Sequence, residues 1–250
     1  MDHILQKVVG ASRVSMMDGF SGYNQVDVLP EDQNKTAFTT PWGTFMYARM
    51  PFGLINAGAT FQRAMDIAFI GEQDKFLVVY LDDITVFSKN DAENIEHLRR
   101  TFEKCRRYGL SLNPLKSLFA LDEGKLLGNI VTKDGVRVDP KRVEVINSIS
   151  LPGNKKEVQA FLGRINFLRR FITNYAEIVR HIKNMLKKNN EVKWSQESRE
   201  AFTRIKQAFF EAPVLAGPDY AKPFMIFSFA SPHRVVGVLL QKMKKDTSSL

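Results

Sequence analysis

Cysteine is almost absent from this chain of 250 residues, in which Cys105 is the only thiol. A single cysteine excludes an internal disulfide framework and a cysteine-ligated zinc site, and it favours a reducing, intracellular setting over secretion. Long apolar runs are also missing, and the N-terminal stretch lacks the charged-then-apolar layout of a secretory signal. The sequence therefore predicts a globular protein without a membrane partner, whose 44% hydrophobic residues suffice for one large core or two modest ones.

The net charge of +9 is distributed unevenly along the chain. Residues 1–132 hold 14 Lys/Arg and 16 Asp/Glu, a net charge of −2, whereas residues 133–250 hold 22 and 11, a net charge of +11. A basic region beside an acidic centre fits an enzyme that binds a polyanion and acts on it with metal ions. A solvated, lysine-rich helical surface explains the same charge without a function, so charge alone leaves both interpretations open.

Two adjacent carboxylates, Asp82 and Asp83, interrupt the apolar, β-favouring run "KFLVVYLDDITVFSKN" of residues 75–90. Burying this run would bury the charges, unless it forms a β-hairpin with its turn at Leu81-Asp82 or at Asp82-Asp83. The apolar arms then enter the core, and the tip projects both carboxylates into a cleft. Because Asp is also common in ordinary surface turns, the pair alone does not establish a site.

A third carboxylate strengthens the functional interpretation. Asp18 ends a short apolar strand predicted over "RVSMMD", residues 13–18, and it reaches the same cleft if that strand pairs beside the hairpin. Three carboxylates can hold two magnesium ions, which activate a 3′-hydroxyl and stabilise the charge of an in-line phosphoryl transfer. This chemistry needs no side-chain nucleophile, in keeping with the lack of a Ser/His/Asp or Cys/His set and of histidines at metal-ligand spacing.

Periodicity and turn residues indicate an α+β order of elements in the first half. A hairpin is predicted around Pro41 and Gly43, and Asn56 can cap the helix that follows it. A second, strongly amphipathic helix covers residues 90–109 and stops at Gly109. The predicted inner faces of these helices are Phe61, Ala64, Met65, Ala68 and Phe69 in the first, and Ile95, Leu98, Phe102 and Cys105 in the second.

The second half begins with two short strands around the turn Lys133–Gly135 and then becomes helical. Ser195 is the predicted N-cap of a late helix, and residues 222–242 are typical of two further strands. The helix that begins near residue 155 is predicted to bury Val158, Phe161, Leu162, Ile165, Leu168 and Ile172.

Six blocks of the sequence together resemble a known family. They are "SMMDGFSGYNQV", "ARMPFGLINAGATFQRAMD", "VVYLDDITVFS", "GLSLNPLKSLF", "LLGNIVTKDGVRVDPKRV" and "VQAFLGRINFLRRFI". In order and spacing they resemble the reverse transcriptase of gypsy-class LTR retrotransposons, over residues 1–242. The resemblance implies a right-hand polymerase palm over 1–133, an antiparallel sheet with packed helices, then a helical thumb and connection over 134–213. Residues 214–250 would be the first hairpin of an incomplete ribonuclease H-like domain.

The resemblance also implies roles for single residues. Asp18, Asp82 and Asp83 match the catalytic carboxylates that bind two Mg²⁺ ions. Lys116, which spacing alone makes a solvated lysine at a helix end, matches a lysine suggested to protonate the leaving pyrophosphate. Tyr23, otherwise an ordinary core tyrosine, matches the aromatic that excludes a ribose 2′-hydroxyl. The remaining matches are Gly19, Phe52 and Gly53 at the nucleotide, and Tyr80, Gln62, Leu126, Leu127, Gly128, Arg164, Arg169 and Arg170 at the primer and template.

Three departures from the family pattern limit these expectations. The chain begins downstream of the fingers, whose basic residues clamp the incoming triphosphate, so we expect polymerase activity to be impaired or absent. Gly58 replaces a proline of the family's "NAPATFQ", at a cost of about 0.5–1 kcal/mol through unfolded-state entropy. Phe229 replaces a metal-binding aspartate, so ribonuclease H activity is expected to be absent.

Two hypotheses follow from the sequence. The first is an RNA-directed DNA polymerase domain that extends a DNA primer on an RNA or DNA template, using magnesium and deoxynucleoside triphosphates. The second is a catalytically dead retroelement remnant that only binds nucleic acid through its basic thumb. Magnesium-dependent nucleotide incorporation distinguishes the first, whereas salt-sensitive duplex binding without incorporation distinguishes the second.

Overall fold

The computed structural model of the chain describes residues 2–187, 190–231 and 234–242, so residues 243–250 of the predicted last segment lie outside the described residues. The predicted α+β order is confirmed, because a sheet region is followed by helices and then by a hairpin. The helices are α1 (Asp2–Val8), α2 (Pro30–Gln33), α3 (Ala57–Ala68), α4 (Asp91–Tyr108), α5 (Pro140–Asn147), α6 (Lys155–Asn166), α7 (Tyr175–Asn184) and α8 (Gln196–Phe210). The strands are β1 (Arg13–Gly19), β2 (Phe38–Thr40), β3 (Gly43–Phe45), β4 (Leu77–Tyr80), β5 (Asp83–Ser88), β6 (Leu112–Leu121), β7 (Glu123–Leu126), β8 (Asn129–Thr132), β9 (Gly135–Val138), β10 (Met225–Ser231) and β11 (Arg234–Leu240). None of the helices among the described residues is both long and apolar enough to span a bilayer.

A four-stranded antiparallel sheet, in the order β4-β5-β1-β6, forms the centre of the first half. Successive side chains of a strand point to opposite faces, and this alternation divides the apolar residues of β4 between two cores. Leu77 and Val79 belong to a smaller core with the inner face of α3, whereas Val78 belongs to a larger core with Val14 and the helices of the second half. The sheet is therefore covered on both faces.

The predicted hairpin around the Asp pair is confirmed, and its turn lies at Leu81-Asp82. Leu81 has a φ of 54°, the positive value that two-residue hairpin turns require at their first central position. The arms bury Leu77, Val79, Ile84 and Val86 almost completely. The apolar run is thus buried while its two carboxylates lie at the tip.

The expectation that Lys116 ends a helix is wrong, because it lies within the ten-residue strand β6. Helix α4 ends at Gly109, where φ is 66°, as predicted from the glycine. The following segment pairs with β1 across the sheet, a non-local contact that periodicity does not reveal. Pro114 is tolerated in this strand because β6 is an edge of the sheet, where one side of the strand needs no ladder hydrogen bonds.

Two local predictions in the helices also need correction. Asn56 precedes α3 but its side chain forms no capping hydrogen bond, because Asn56 itself has helical dihedral angles. Ile95 is 70% exposed rather than part of the inner face of α4. The helix is rotated because buried Asn94 accepts a hydrogen bond from Ser15 Oγ (3.1 Å) and donates one to Ser88 Oγ (3.3 Å).

The second half packs its helices around the larger core. All six residues predicted for the inner face of α6 and its extension are buried, although α6 ends at Asn166 and a 3₁₀ turn over Arg169–Phe171 follows. Ser195 caps α8 as predicted, since its Oγ accepts from the Ser198 N–H at 3.3 Å. The sheet β7-β8-β9 joins this region to the first half, and its last strand exchanges backbone hydrogen bonds with Leu215.

Candidate active site

The three predicted carboxylates are brought together at one end of the central sheet. Asp18 of β1 lies directly opposite Asp83 of β5, and Asp82, one residue earlier, is the second residue of the hairpin turn. Because Asp18 and Asp83 are paired across neighbouring strands, their side chains lie on the same face of the sheet. The expectation that the "RVSMMD" strand pairs beside the hairpin is confirmed.

Asp82 is held by the loop that follows β1. Its carbonyl oxygen accepts a hydrogen bond from the Gly19 N–H at 2.9 Å. Its carboxylate lies against Gly22, where an added Cβ would be 2.6 Å from one carboxylate oxygen. Within the described structure, Asp82 Oδ1 is buried without a hydrogen-bond partner. A buried oxygen of this kind costs free energy, as is common for groups kept for chemistry rather than for stability.

Burial and neighbouring negative charge oppose the ionisation of Asp82 and Asp83. Partial burial, followed by the charges of Asp18 and Asp83, raises the pKa of Asp82 above its usual range. Loss of hydration inside the cleft and the charge of Asp18 also raise the pKa of Asp83, although its side chain remains open to solvent. Lys116 counteracts both shifts, because its Nζ lies 3.3 Å from Asp18 Oδ2. The cluster therefore favours an added positive charge.

The donor set suits a hard cation such as Mg²⁺, which prefers carboxylate oxygens. The unpartnered Oδ1 of Asp82 is available for such an ion. Among the residues that the structure describes, however, no three His, Cys, Asp or Glu side chains are arranged to hold one metal ion. The oxygens fit the ion in chemistry, and gathering all three around it requires side-chain rotation.

The residues matched to the nucleotide lie around Tyr23. Its ring packs against Phe52 at 5.1 Å and edge-on against Phe61 at 5.5 Å between ring centroids. Phe52 is 62% exposed, and Gly53 has a φ of 97° with open space at its Cα. Tyr23 is therefore half-buried on an aromatic base, neither a fully buried core residue nor a free side chain.

Gln62, which was predicted to contact the primer and template, is hydrogen-bonded within the chain itself. Its Oε1 accepts from the Leu81 N–H at 2.9 Å, and its Nε2 donates to Asp66 at 3.0 Å. The side chain thus holds the turn that carries Asp82. Tyr80, at the end of β4, pairs with Asp83 across the hairpin and is half-buried.

The turn over Leu126, Leu127 and Gly128 joins β7 to β8. Leu126 is buried, while Leu127 and Gly128 have positive φ values of 50° and 73°. The guanidinium of Arg142 lies directly against the Cα of Gly128, so that a side chain there would have to displace it. Arg142 also covers the ring of Phe167 at 4.4 Å.

A cavity of about 700 Å³ opens beside this turn, between α5 and α6. Its apolar floor includes Ile146 and Phe167, and its cations are Lys125, Lys141, Arg142 and Arg164. Asp139 is 3% exposed and forms an ion pair with Lys125 at 2.5 Å, which lowers the pKa of its carboxyl, as does the Lys141 N–H. Of the three arginines predicted to bind the duplex, Arg164 lines this cavity, whereas Arg169 and Arg170 lie on the 3₁₀ turn beyond it.

Sequence reasoning missed two residues that shape these sites. Gly22 provides the space for the Asp82 carboxylate, and its place in "SGYNQ" gave the available signal. Arg142 connects the β7–β8 turn with α6, and only its occurrence in "DPKRV" could have indicated it.

The family model described as "Reverse transcriptase (RNA-dependent DNA polymerase)" matches residues 2–138, which include all three carboxylates, Lys116 and the β7–β8 turn. The chain belongs to the reverse transcriptase family. A second model, "RNase H-like domain found in reverse transcriptase", matches residues 194–249. Members of the reverse transcriptase family depend on metal ions, in agreement with the carboxylate cleft.

Curated relatives place this reverse transcriptase domain among retrotransposon Pol polyproteins. It is 38% identical over 242 residues to the retrovirus-related Pol polyprotein from transposon 297 of Drosophila melanogaster, covering 96% of the chain and 23% of the relative. The Tf2-3 polyprotein of Schizosaccharomyces pombe is 30% identical over 246 residues, covering 98% and 18%. The chain thus spans about a fifth of the length of these relatives, and the gypsy-class resemblance is consistent with them.

Solved structures of foamy viral protease-reverse transcriptase share the fold. The complex with dsDNA has a TM-score of 0.83 at 26% identity, covering 95% of this chain and 50% of that one. The complex with an RNA/DNA hybrid has a TM-score of 0.80 at 26% identity, covering 92% and 31%. The predicted fold, a polymerase palm followed along the chain by a helical region, is confirmed.

Proposed function

We propose that this domain carries out template-directed DNA synthesis, with Asp18, Asp82 and Asp83 as the ligands of two Mg²⁺ ions. The observation that carries the proposal is the carboxylate arrangement: Asp18 and Asp83 are opposed on paired strands, and Asp82 keeps an unpartnered oxygen. Bound ions of this kind activate the primer 3′-hydroxyl and neutralise charge on the transferred phosphoryl group. The raised pKa values of Asp82 and Asp83 support a cleft built for cations.

The other residues of the cleft support roles in binding the nucleotide. Lys116 lies beside the carboxylates, with its Nζ 3.3 Å from Asp18 Oδ2, and we assign it the role of proton donor to the leaving pyrophosphate. Tyr23, seated on Phe52 and Phe61, is rigid enough to exclude a ribose 2′-hydroxyl by contact. Gly53 leaves open space at its Cα for a deoxynucleoside triphosphate, whereas Gly19 is buried and supports the site through its bond to the Asp82 carbonyl.

The basic cavity between α5 and α6 supports binding of a primer–template duplex. Arg142, Arg164 and Lys141 present positive charge beside the β7–β8 turn, and phosphate contacts of this kind carry affinity without reading base sequence. The foamy viral relatives were solved with dsDNA and with an RNA/DNA hybrid. We therefore assign an RNA or DNA template with a DNA primer as the partner, held by the turn and by α6.

Primer extension by the purified chain tests the proposal directly. A labelled DNA primer on an RNA template and on a DNA template should be extended only when Mg²⁺ and deoxynucleoside triphosphates are both present. Asp82→Asn should reduce the rate by at least about a hundredfold, because the removed carboxylate stabilises charge in the transition state. The matched control is Asp134→Asn, which changes an exposed turn carboxylate outside the cleft. Equal background incorporation by wild type and Asp82→Asn would overturn catalysis by this chain.

A second candidate function is duplex binding without catalysis. It is favoured by the lack, among the described residues, of three carboxylates gathered for one ion, and by the excess of cations after residue 132. It predicts that binding weakens steeply with salt and that Arg164→Glu weakens it about tenfold at low salt. Binding that is equal at 50 mM and 200 mM salt would exclude it.

We propose no ribonuclease H chemistry for the last segment. Phe229 stands in β10 where the family pattern has a metal-binding aspartate, and its side chain is 63% exposed. A phenylalanine offers no oxygen to a metal ion. An assay for cleavage of an RNA/DNA hybrid, with Mg²⁺ and with Mn²⁺, should give no product, and metal-dependent cleavage by the wild type would contradict this.

A further inference from the structure

Gln25 closes the junction between the strand that carries Asp18 and the strand that carries Lys116. The β1–β6 ladder ends at the pair Gly19 and Leu112, and one more backbone bond runs from the Phe20 N–H to the Ser111 carbonyl at 2.9 Å. Gln25 lies at the end of the 3₁₀ turn over Gly22–Gln25, 86 positions before Ser111. Its side chain reaches back to both strand ends.

Every hydrogen-bonding group of the Gln25 amide is used in this junction. Oε1 accepts from the Ser111 N–H at 2.7 Å. Nε2 donates to the Ser111 carbonyl at 3.1 Å and to the Phe20 carbonyl at 2.6 Å. A primary amide offers two donors and one carbonyl acceptor, so the side chain acts as an additional peptide unit at the end of the ladder.

The remainder of the β1–β6 pairing is weak where it matters for Lys116. The register shifts twice along β1, between Val14 and Met16 and again between Met16 and Asp18. Pro114 lacks an N–H, and β6 is an edge strand. The ladder pairs Asn113 with Asp18 but gives residues 114–117, which include Lys116, no partner on β1, and a clamp at the start of β6 supplies a further constraint on them.

The same clamp affects the second carboxylate. Phe20 and Gly22 belong to the loop whose Gly19 N–H binds the Asp82 carbonyl and whose Gly22 borders the Asp82 carboxylate. We propose that Gln25 is a positioning residue, whose amide fixes the start of β6 and the loop after β1 so that Lys116 and Asp82 keep their places beside Asp18. Its consequence for catalysis rests on the proposed polymerase function, whereas its consequence for the junction does not.

Two substitutions separate this role from that of an ordinary exposed glutamine. Gln25→Met keeps the length but removes all three hydrogen bonds. Gln25→Glu keeps an acceptor for the Ser111 N–H but directs carboxylate oxygens at the Phe20 and Ser111 carbonyls. A surface polar residue would tolerate glutamate best, whereas the clamp predicts that glutamate is worse than methionine. Gln33→Glu is the matched control, because Gln33 also donates to a backbone carbonyl, that of Val28 at 3.2 Å, away from the cleft.

Amide hydrogen exchange measures the junction without any need for activity. For Gln25→Glu we expect exchange to rise about tenfold at Gly19 and over 111–118, with no change over β4 and a melting temperature within about 2 °C of wild type. Gln25→Met should show a smaller rise, and Gln33→Glu none. Unchanged exchange at Gly19 and in β6 would overturn the inference, whether or not the wild type polymerises.

Primer extension then tests the catalytic consequence. In an active wild type, Gln25→Glu should lower kcat about tenfold and leave the KM for primer–template unchanged, because the duplex is bound elsewhere. Increased exchange with unchanged kcat would overturn the positioning role. A wild type that shows no extension refutes the proposed function, and the exchange result still decides the placement of β6.

Discussion

The carboxylate cleft contains charges that destabilise the folded chain, whereas the helical second half consists mainly of contacts that stabilise it. In the cleft, partial burial and the charges of neighbouring carboxylates raise the pKa of Asp82 and Asp83. In the helical half, apolar side chains fill the larger core, and the buried carboxylate Asp139 is paired with Lys125. The contrast indicates that the helical half stabilises a fold in which the cleft is free to carry unfavourable charge.

The largest expected difference between the two regions comes from the helical core. Phe161→Ala should lower the free energy of unfolding by about 3–5 kcal/mol, because Phe161 is 1% exposed and packs on Phe202 at 4.8 Å between centroids. Urea denaturation followed by circular dichroism measures the loss. Phe210→Ala on the exposed side of α8 serves as control and should change little. A loss below about 1 kcal/mol would show that this core is not the source of stability.

Removing the carboxylate of Asp139, which pairs with Lys125, should lower the stability of the folded chain. The pKa of Asp139 is lowered, so its contribution is present above its unfolded value near 3.8 and disappears as pH falls through the folded value. Asp139→Asn should therefore cost about 1–2 kcal/mol at pH 7, after allowance for the exposed lysine, and almost nothing near pH 2. Unfolding measured at both pH values tests this. A pH-independent cost would assign the effect to packing, and Asp122→Asn, at an exposed pair, provides the control.

In the cleft, removing a carboxylate should increase the stability of the folded chain at pH 7 rather than decrease it. The pKa of Asp82 is raised, so its contribution to stability is greatest below the unfolded value near 3.8 and is lost as pH rises through the folded value. Asp82→Asn should accordingly stabilise the chain by about 0.5–1 kcal/mol at pH 7, with the gain vanishing at pH 3.

Thermal unfolding of Asp82→Asn without divalent ions, compared with Asp134→Asn, measures this gain. If Asp82→Asn were less stable than wild type at pH 7, removal of a carboxylate would destabilise both regions, and the predicted difference between them would be wrong. Added Mg²⁺ should raise the melting temperature of wild type more than that of Asp82→Asn, because a ligand that binds only the folded state stabilises it.

The sequence predicted the features that depend on neighbouring residues. The hairpin turn at Asp82, the strand ending at Asp18 and the buried side of α6 all follow from local alternation or helical spacing. Lys116 was misplaced because its strand is defined by pairing with β1, far away in the chain. Ile95 was assigned to the wrong side because a buried polar contact, not the apolar stripe, sets the rotation of α4.

Gly58 offers the smallest and most local test, since it lies in the first turn of α3 and borders the cleft. An added Cβ would lie 3.5 Å from Tyr23 Oη and 3.7 Å from a Leu81 methyl, both ordinary contacts. Gly58→Ala should therefore stabilise the chain by about 0.5 kcal/mol through reduced unfolded-state entropy, as should any residue that restores helix propensity there. Gly163→Ala in α6, whose Cβ would meet nothing within 4 Å, is the reference in the helical half and should gain at least as much. If Gly58→Ala destabilises while Gly163→Ala stabilises, the cleft wall is packed more tightly than the helical half, and Tyr23 and Leu81 have no freedom to adjust.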